Sequence, residues 1–202
     1  MEHMIYSLIR IASRRIGNSI HFSLPKGYNG IYIGIPGKQA DQDPRLAAIA
    51  EIFAGTPVTL HLSDDILLDI WDKFGLNVSR NLPQAILGVG IGAYDDSTYV
   101  DAIMRQMRHE VVLVANAKGI PLKEEFQAGK WLPTQRYSTL QDLDAHRHTE
   151  IDMFSGALVR MGKELGIACP YNEMTYNLIK ALEEKNDGKF DYERDLACHS
   201  RG

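Results

Sequence analysis

Cysteine is scarce in this sequence, and its scarcity excludes the first class of protein. Of 202 residues only Cys169 and Cys198 are cysteines, too few for a disulfide framework and without C-x-x-C spacing. Both are read as free thiols in a reducing, cytoplasmic setting. Long apolar runs are missing too: nothing approaches the ~18 residues that a membrane span needs, so no membrane partner is expected. The N-terminus is not shaped like a secretory leader. Glu2 and His3 stand in place of basic residues, Met4 to Ile9 is short, and Arg10, Arg14 and Arg15 break up the next stretch of chain. Excess positive charge is also absent. The 22 Lys+Arg against 26 Asp+Glu give a net charge of −4, with no basic-aromatic interleaving, so no nucleic-acid partner is expected. The composition left is globular, 45% hydrophobic and 24% charged, with length for one large or two small domains.

The first third of the chain has the short apolar stretches of strands. Ile5 to Ala12, Ile16 to Leu24 and Tyr28 to Ile35 are separated by Gly17-Asn18 and Pro25-Lys26-Gly27, which predicts a small antiparallel meander. A helix comes next, capped by Asp43, with Pro44 at its first position, Leu46, Ile49, Ile52 and Phe53 at helical spacing, and Gly55 after its end. Pro57 to Leu62 reads as one more strand. From Ser63, taken as an N-cap, the periods become helical: through Ile66, Ile70 and Phe74, then Ser97 to Lys118, from Ser138, Phe154 to Leu165 before Gly166, and from Pro170 through Leu182. The expected architecture is mainly α: a β-rich piece over 1–62, a helical domain over 63–185 and a polar tail over 186–202. A few strands with one helix cannot cover both faces of a sheet, so the first piece reads as the end of something larger.

Three clusters could carry chemistry. Lys73, Asn77 and Asn81 fall within an arc of ~80° on an ideal helix, which would place one ammonium and two amides on a face able to hold a polar substrate or simply to meet solvent. Asp142, His146 and Glu150 are also four apart, and on a continuous helix they share a face. His146, His148 and Glu150 are zinc-type ligands, but the two imidazoles would point ~200° apart on a helix, so no metal is expected. The third cluster, Gly88-Val89-Gly90-Ile91-Gly92-Ala93, matches G-x-G-x-x-[G/A]. It comes after a helix rather than the first strand of a βαβ unit, so it reads as a glycine-rich interhelical loop, not a dinucleotide cradle. No G-x-S-x-G elbow is present, and Ser138 has the look of a cap or a ligand contact rather than a nucleophile.

Together the polar clusters resemble the ketopantoate reductase (2-dehydropantoate 2-reductase) family. Ser138-Thr-Leu-Gln-Asp142, Arg147-His-Thr-Glu150-Ile-Asp152, Gly156, and Gly166-Ile-Ala-Cys-Pro170-Tyr-Asn172 are similar to its C-terminal signature in order and spacing. Trp71-x-Lys73-x3-Asn77-x3-Asn81 is similar to its catalytic-lysine helix. Gly17-Asn18, Ile33-Gly34 and Ala54-Gly55 resemble the end of its nucleotide-binding domain. Leu82 stands between Asn81 and Pro83 where the family usually has Asn-Pro, and Gln135 stands where it often has Asn.

The resemblance implies a Rossmann-type domain followed by a helical domain similar to the C-terminal domain of 6-phosphogluconate dehydrogenase. It also implies NADPH-dependent reduction of 2-dehydropantoate, or a related 2-keto acid, in pantothenate and coenzyme A biosynthesis. By resemblance Lys73 is the catalytic lysine, Glu150 binds the substrate hydroxyl and sets the electrostatics near the lysine, Ser138 contacts the substrate carboxylate, and Asn77 and Asn81 belong to the same pocket. No residue is assigned to the cofactor. A strand with G-x-G-x-x-G does not open the chain, and the NADPH-holding βαβ units have no room before residue 8, so the expectation is the end of the cofactor domain plus the whole helical domain. The rival expectation is a non-catalytic helical interaction or dimerisation module that has lost its cofactor site, and exposed strand edges would suit a homodimer.

Overall fold

The computed structural model describes residues 4–11, 13–22, 27, 29–126 and 132–192, without the side chains of 13–16 and 22. Two compact units are present, Met1–Lys73 and Phe74–Gly202. In the first, strands β1 (Tyr6–Arg10), β2 (Ser13–Ile16), β3 (Ser19–Phe22) and β4 (Gly30–Gly34) precede helix α1 (Pro44–Phe53) and strand β5 (Leu60–Leu62). The expected meander is not formed. Gly17, at φ 58°, and Asn18 make a two-residue turn that pairs Ile16 with Ser19, so β2 and β3 close on each other as a separate ribbon. This frees β1 to pair antiparallel with β4, which in turn pairs parallel with β5, in the order β1-β4-β5. The parallel pair requires a crossover, and α1 supplies it. The predicted turn at Pro25-Lys26 lies outside the described residues.

Helix α1 begins as its sequence predicts. The Asp43 carboxylate accepts from the Arg45 amide at 3.1 Å, Pro44 takes the first position, and Leu46 is fully buried. The Arg45 guanidinium, 2.8 Å from Asp43, and Lys38 hold that carboxyl well below the usual range. Ile52, which shares the helical spacing of Leu46, is 75% exposed. Helix α2 (Ile66–Leu76) begins in the first unit and ends in the second. Its first turn is capped by Asp65, which accepts from the Leu68 amide at 3.1 Å, and not by Ser63, whose hydroxyl donates to Asp69 at 2.5 Å. A side chain at Gly34 would put its Cβ 2.7 Å from that of Ile66, so glycine lets the helix start against β4. Arg10, buried on β1, donates to the Asp69 carbonyl at 3.0 Å and to Asp72 at 3.2 Å, fixing α2 to the sheet.

The second unit is helical: α3 (Leu82–Leu87), α4 (Ala93–Asp96), α5 (Thr98–Ala117), α6 (Ser138–Asp144), α7 (Ser155–Leu165) and α8 (Pro170–Asn186). Helix α5 is its axis. Ser97 caps it as predicted, and Met104, Met107, Val111, Val114 and Ala115 bury one stripe against α3, α7 and α8. Helix α7 stops at Gly166, at φ 70°, as its sequence requires. Pro170 opens α8 as expected, and most of the predicted tail lies outside the described residues.

A buried carboxylate joins these helices. Glu110, on α5, accepts from the backbone amides of Tyr171 (2.8 Å) and Asn172 (2.9 Å) and from Asn172 Nδ2 (2.6 Å), while Asn172 Oδ1 receives the Ser155 hydroxyl at 2.9 Å. The N-terminus of α8 thus delivers its unsatisfied N–H groups and its positive end to an anion on α5, and the first residue of α7 joins the same network. Glu110→Ala strands these donors in the interior and should destabilise the chain by about 3 kcal/mol in urea unfolding. Glu110→Gln, which keeps one acceptor, should cost less. A loss for the alanine variant near zero would show that the network carries no stability.

Candidate functional site

Helical backbone continues past α2, but not as an α-helix: Asn77–Asn81 forms a π turn before α3. Pro83 lacks the N–H that would continue an i→i−4 ladder and its ring crowds the carbonyl of Ser79, so the helix widens one turn ahead of it. Ser79 turns its hydroxyl back onto the Gly75 carbonyl at 2.6 Å. Asn81 is 3% exposed, and its Nδ2 donates to Asn77 Oδ1 at 3.4 Å. The two amides therefore meet, as the spacing implied, through a wider turn than the one assumed. Asn81 Oδ1 is enclosed with no hydrogen-bond donor among the described residues, an acceptor left available in a polar niche. Lys73, half-buried, occupies the last turn of α2.

The segment leading to Ser138 is held by a residue that sequence reasoning missed. Gln84, fully buried on α3, donates to the Gln135 carbonyl at 3.1 Å and accepts from the Tyr137 amide at 2.7 Å. One primary amide thereby replaces the strand partner that residues 135–137 lack. The glycine-rich run closes the other side, with the Ile91 amide donating to the Gln135 carbonyl (3.0 Å) and the Gly92 amide to the Pro133 carbonyl (2.9 Å). A Cβ at Gly90 would collide with the Pro133 carbonyl oxygen, and one at Gly92 would lie 2.8 Å from Pro133 Cβ. These glycines permit backbone-to-backbone packing, so the interhelical reading holds, and the space a pyrophosphate would need is filled by protein. Ser138 is the first residue of α6, is exposed, and its hydroxyl makes no hydrogen bond among the described residues; α6 packs against the π turn that carries Asn81.

The shared face of Asp142, His146 and Glu150 does not exist. Helix α6 ends at Asp144, and His146 adopts φ 52°, a left-handed turn. Arg147 folds back so that its amide donates to the Asp142 carbonyl at 2.8 Å and its guanidinium to the Asp142 carboxylate at 2.6 Å. His148 turns instead to Asp187 at the C-terminal end of α8, at 2.9 Å. Among the described residues no group of histidine, cysteine or carboxylate side chains could hold a metal ion, and no helix is long and apolar enough to cross a membrane. Cys169 is a buried free thiol whose pKa burial pushes up to about 11, and Cys198 lies outside the described residues.

Glu150 sits in the turn between α6 and α7, exposed, with no hydrogen bond or ion pair to its carboxylate among the described residues. Its neighbours are pinned. Glu183, 2% exposed on α8, accepts from both the amide and the hydroxyl of Thr149 at 2.7 Å, and Lys180 lies 2.9 Å from it. On the other side Tyr176 donates its hydroxyl to Asp152 at 2.8 Å, and Ile151 is fully buried. The structure thus brings Asn77 and Asn81 into contact and sets α6 beside them. It gives Glu150 no hydrogen bond to any of the other candidates.

A family model described as the C-terminal part of ketopantoate reductase PanE/ApbA matches residues 65–183. The chain belongs to the ketopantoate reductase family. A curated relative, the 2-dehydropantoate 2-reductase of Pyrobaculum aerophilum, is 32% identical over 143 residues, which are 68% of this chain and 51% of the relative. Among solved structures, the PanE/ApbA family ketopantoate reductase of Ralstonia eutropha JMP134 is 28% identical with a TM-score of 0.76, over 91% of this chain and 60% of that one. A D-mandelate dehydrogenase solved with NADH and anilino(oxo)acetate is 26% identical with a TM-score of 0.69, over 80% of this chain and 69% of that one. The chain spans about half the length of the curated relatives it matches. The resemblance read from the sequence therefore stands, as does the mainly helical fold preceded by a small sheet.

The turn that presents Glu150 is held by an anchor that titrates, Glu183. Burial alone would raise the Glu183 carboxyl, but the Thr149 amide, the Lys180 ammonium and the Thr149 hydroxyl together hold it below the ordinary glutamate value. A depressed folded-state pKa stabilises the fold above the unfolded value of about 4.3, and this contribution disappears as pH falls through the folded value. Hydrogen-exchange protection of the Thr149 amide should therefore be constant at neutral pH and fall in acid below about pH 4. Glu183→Gln should lower it already at neutral pH and flatten its acid dependence. Unchanged protection in that variant would mean that Glu183 does not anchor the turn.

Proposed function

We propose that this chain provides the substrate-binding and catalytic helical part of a nicotinamide-dependent reductase. Its substrate would be 2-dehydropantoate or a related 2-keto acid, NADPH would be the expected reductant, and the reaction would serve pantothenate biosynthesis in the cytoplasm. In this reading residues 1–62 end a nucleotide-binding domain and 63–185 form the helical domain. The observation that carries the reading is the family match over 65–183 together with the four polar candidates it spans: Lys73, Asn77, Ser138 and Glu150. The glycine-rich run at 88–93 is packed against Pro133 and Gln135, so in this reading it is an interhelical loop and not the cofactor's phosphate cradle.

The chemistry suits the side chains. The ammonium of Lys73 would donate to the ketone oxygen of the substrate, stabilise the negative charge that develops there on reduction, and supply the proton that makes the alcohol. Ser138, exposed at the start of α6, would donate to the substrate carboxylate. Asn77 and the enclosed Oδ1 of Asn81 offer an amide pair that both donates and accepts, as a hydroxy-keto acid requires. Glu150, with a carboxylate free of protein partners among the described residues, would accept the substrate hydroxyl.

Consumption of NADPH by this chain with 2-dehydropantoate, followed by absorbance, tests the reading. Lys73→Ala should lower kcat by about 10² to 10⁴, while Lys118→Ala, at the exposed end of α5, should leave it unchanged. The likeness to D-mandelate dehydrogenase adds an arm with phenylglyoxylate and NADH. Turnover there but not with 2-dehydropantoate would move the substrate to aryl 2-keto acids. Absence of turnover and of cofactor quenching at millimolar NADPH in both arms would overturn the enzymatic reading for this chain.

A further inference from the structure

A cleft of about 650 Å³ opens in the second unit, walled by α5, by the start of α4 and by residues 124–126. Its volume falls in the range of small-molecule sites. None of Asn77, Asn81, Ser138 or Glu150 lines it, although Arg80 directly precedes Asn81 in the π turn. Its floor is cationic. Arg80 and Arg108 both lie over the ring of Phe126, their guanidinium carbons 4.5 and 4.7 Å from its centroid, so one aromatic ring meets two positive charges. Arg108 is 1% exposed and is fixed by its Nε and one terminal nitrogen to the Lys123 carbonyl, at 3.2 and 2.7 Å.

Arg80 differs from the other cations around the cleft. Arg105 is neutralised by Asp101 at 2.6 Å, and His109 is bonded to Glu124 at 2.7 Å. No carboxylate lies within ion-pair distance of Arg80 among the described residues, and its Nε is enclosed without an acceptor. The backbone beneath it is fixed, since the buried Tyr94 hydroxyl donates to the Arg80 carbonyl. The remaining carboxylates of the wall, Asp95 and Glu125, are solvent-exposed, where water screens them. The charge of Arg80 thus has no counter-ion within ion-pair distance among the described residues, and its Nε–H has no acceptor. An oxyanion in the cleft would supply the missing counter-charge, and guanidinium is the side chain whose planar fork matches phosphate and carboxylate oxygens.

We infer that this cleft is a second ligand site, which takes the phosphate or carboxylate group of a small molecule onto Arg80 beside Arg108. The assignment does not depend on reductase activity. The test is a titration of the whole chain with inorganic phosphate and, separately, with succinate, read from the side-chain Nε–H resonances of its arginines. Saturable shifts at Arg80 and Arg108 are expected, and the probe that binds more tightly distinguishes phosphate from carboxylate recognition. Arg80→Gln should weaken binding by about tenfold or more in calorimetry, whereas Arg105→Gln should change it little. Where Arg80→Gln fails to fold, the shift map of the unaltered chain decides. Absence of saturable shifts at Arg80 with both probes, or equal affinity in Arg80→Gln, would overturn the site.

Discussion

The second unit depends on one anion in its interior. Glu110 projects from the long helix α5 into the start of α8, where the amides of Tyr171 and Asn172 have no partners within their own helix. A carboxylate in that place would be costly without donors, and a helix N-terminus would be costly without an acceptor; each removes the other's penalty. Asn172 extends the bond to Ser155, so the start of α7 is set by the same group. Gly162 then allows the return into α8 to pass close to α7, since a Cβ there would lie 2.7 Å from the Ile167 carbonyl. Asn172, one of the residues that mark the family in the sequence, is thus fully buried in a structural network rather than turned toward a ligand.

Once α8 is placed, the turn before α7 is determined by it. Glu183 captures Thr149 and Tyr176 captures Asp152, so the residues around Glu150 are bound to α8 while the Glu150 carboxylate has no partner among the described residues. Gln84 does the same for Ser138 through the backbone of residues 135 and 137. In both places a buried polar side chain, reached from a distant part of the chain, fixes the backbone next to an exposed polar group. That is the arrangement expected of groups that must meet a ligand without the cost of reorganisation when it arrives.

Local chemistry was legible in the sequence. The Asp43-Pro44 start of α1, the Ser97 cap of α5, the Gly166 stop and the Pro170 start all depend on hydrogen bonds and torsions within a few residues, and each is found where the sequence puts it. Pairings across the chain were not legible. The meander failed because the partner of β1 is β4, a choice made by the hairpin between them. The face shared by Asp142, His146 and Glu150 failed because Arg147 competes for the Asp142 carbonyl and carboxylate and ends the helix, and periodicity carries no sign of such competition. Gln84, Glu110 and Glu183 gave no signal, since a buried polar residue on a helix reads like any surface one until its partner, more than thirty positions away, is known.

The π turn shows where these two kinds of information meet. Pro83 is visible in the sequence and excludes a regular ladder at Ser79, yet whether the helix breaks, kinks or widens depends on what receives the displaced backbone. Here Ser79 bonds back to Gly75, and the space above Gly75 is taken by the Arg108 guanidinium, against which any side chain at that position would collide. Glycine at 75 is therefore required by α5 rather than by α2. The same arginine that fills this gap also lies over Phe126, so the packing that shapes the asparagine turn and the floor of the cationic cleft rest on one side chain. A change at Arg108 would be felt in both places at once, which distinguishes it from Arg80, whose guanidinium lies over Phe126 and faces the cleft while its backbone carbonyl is held by Tyr94.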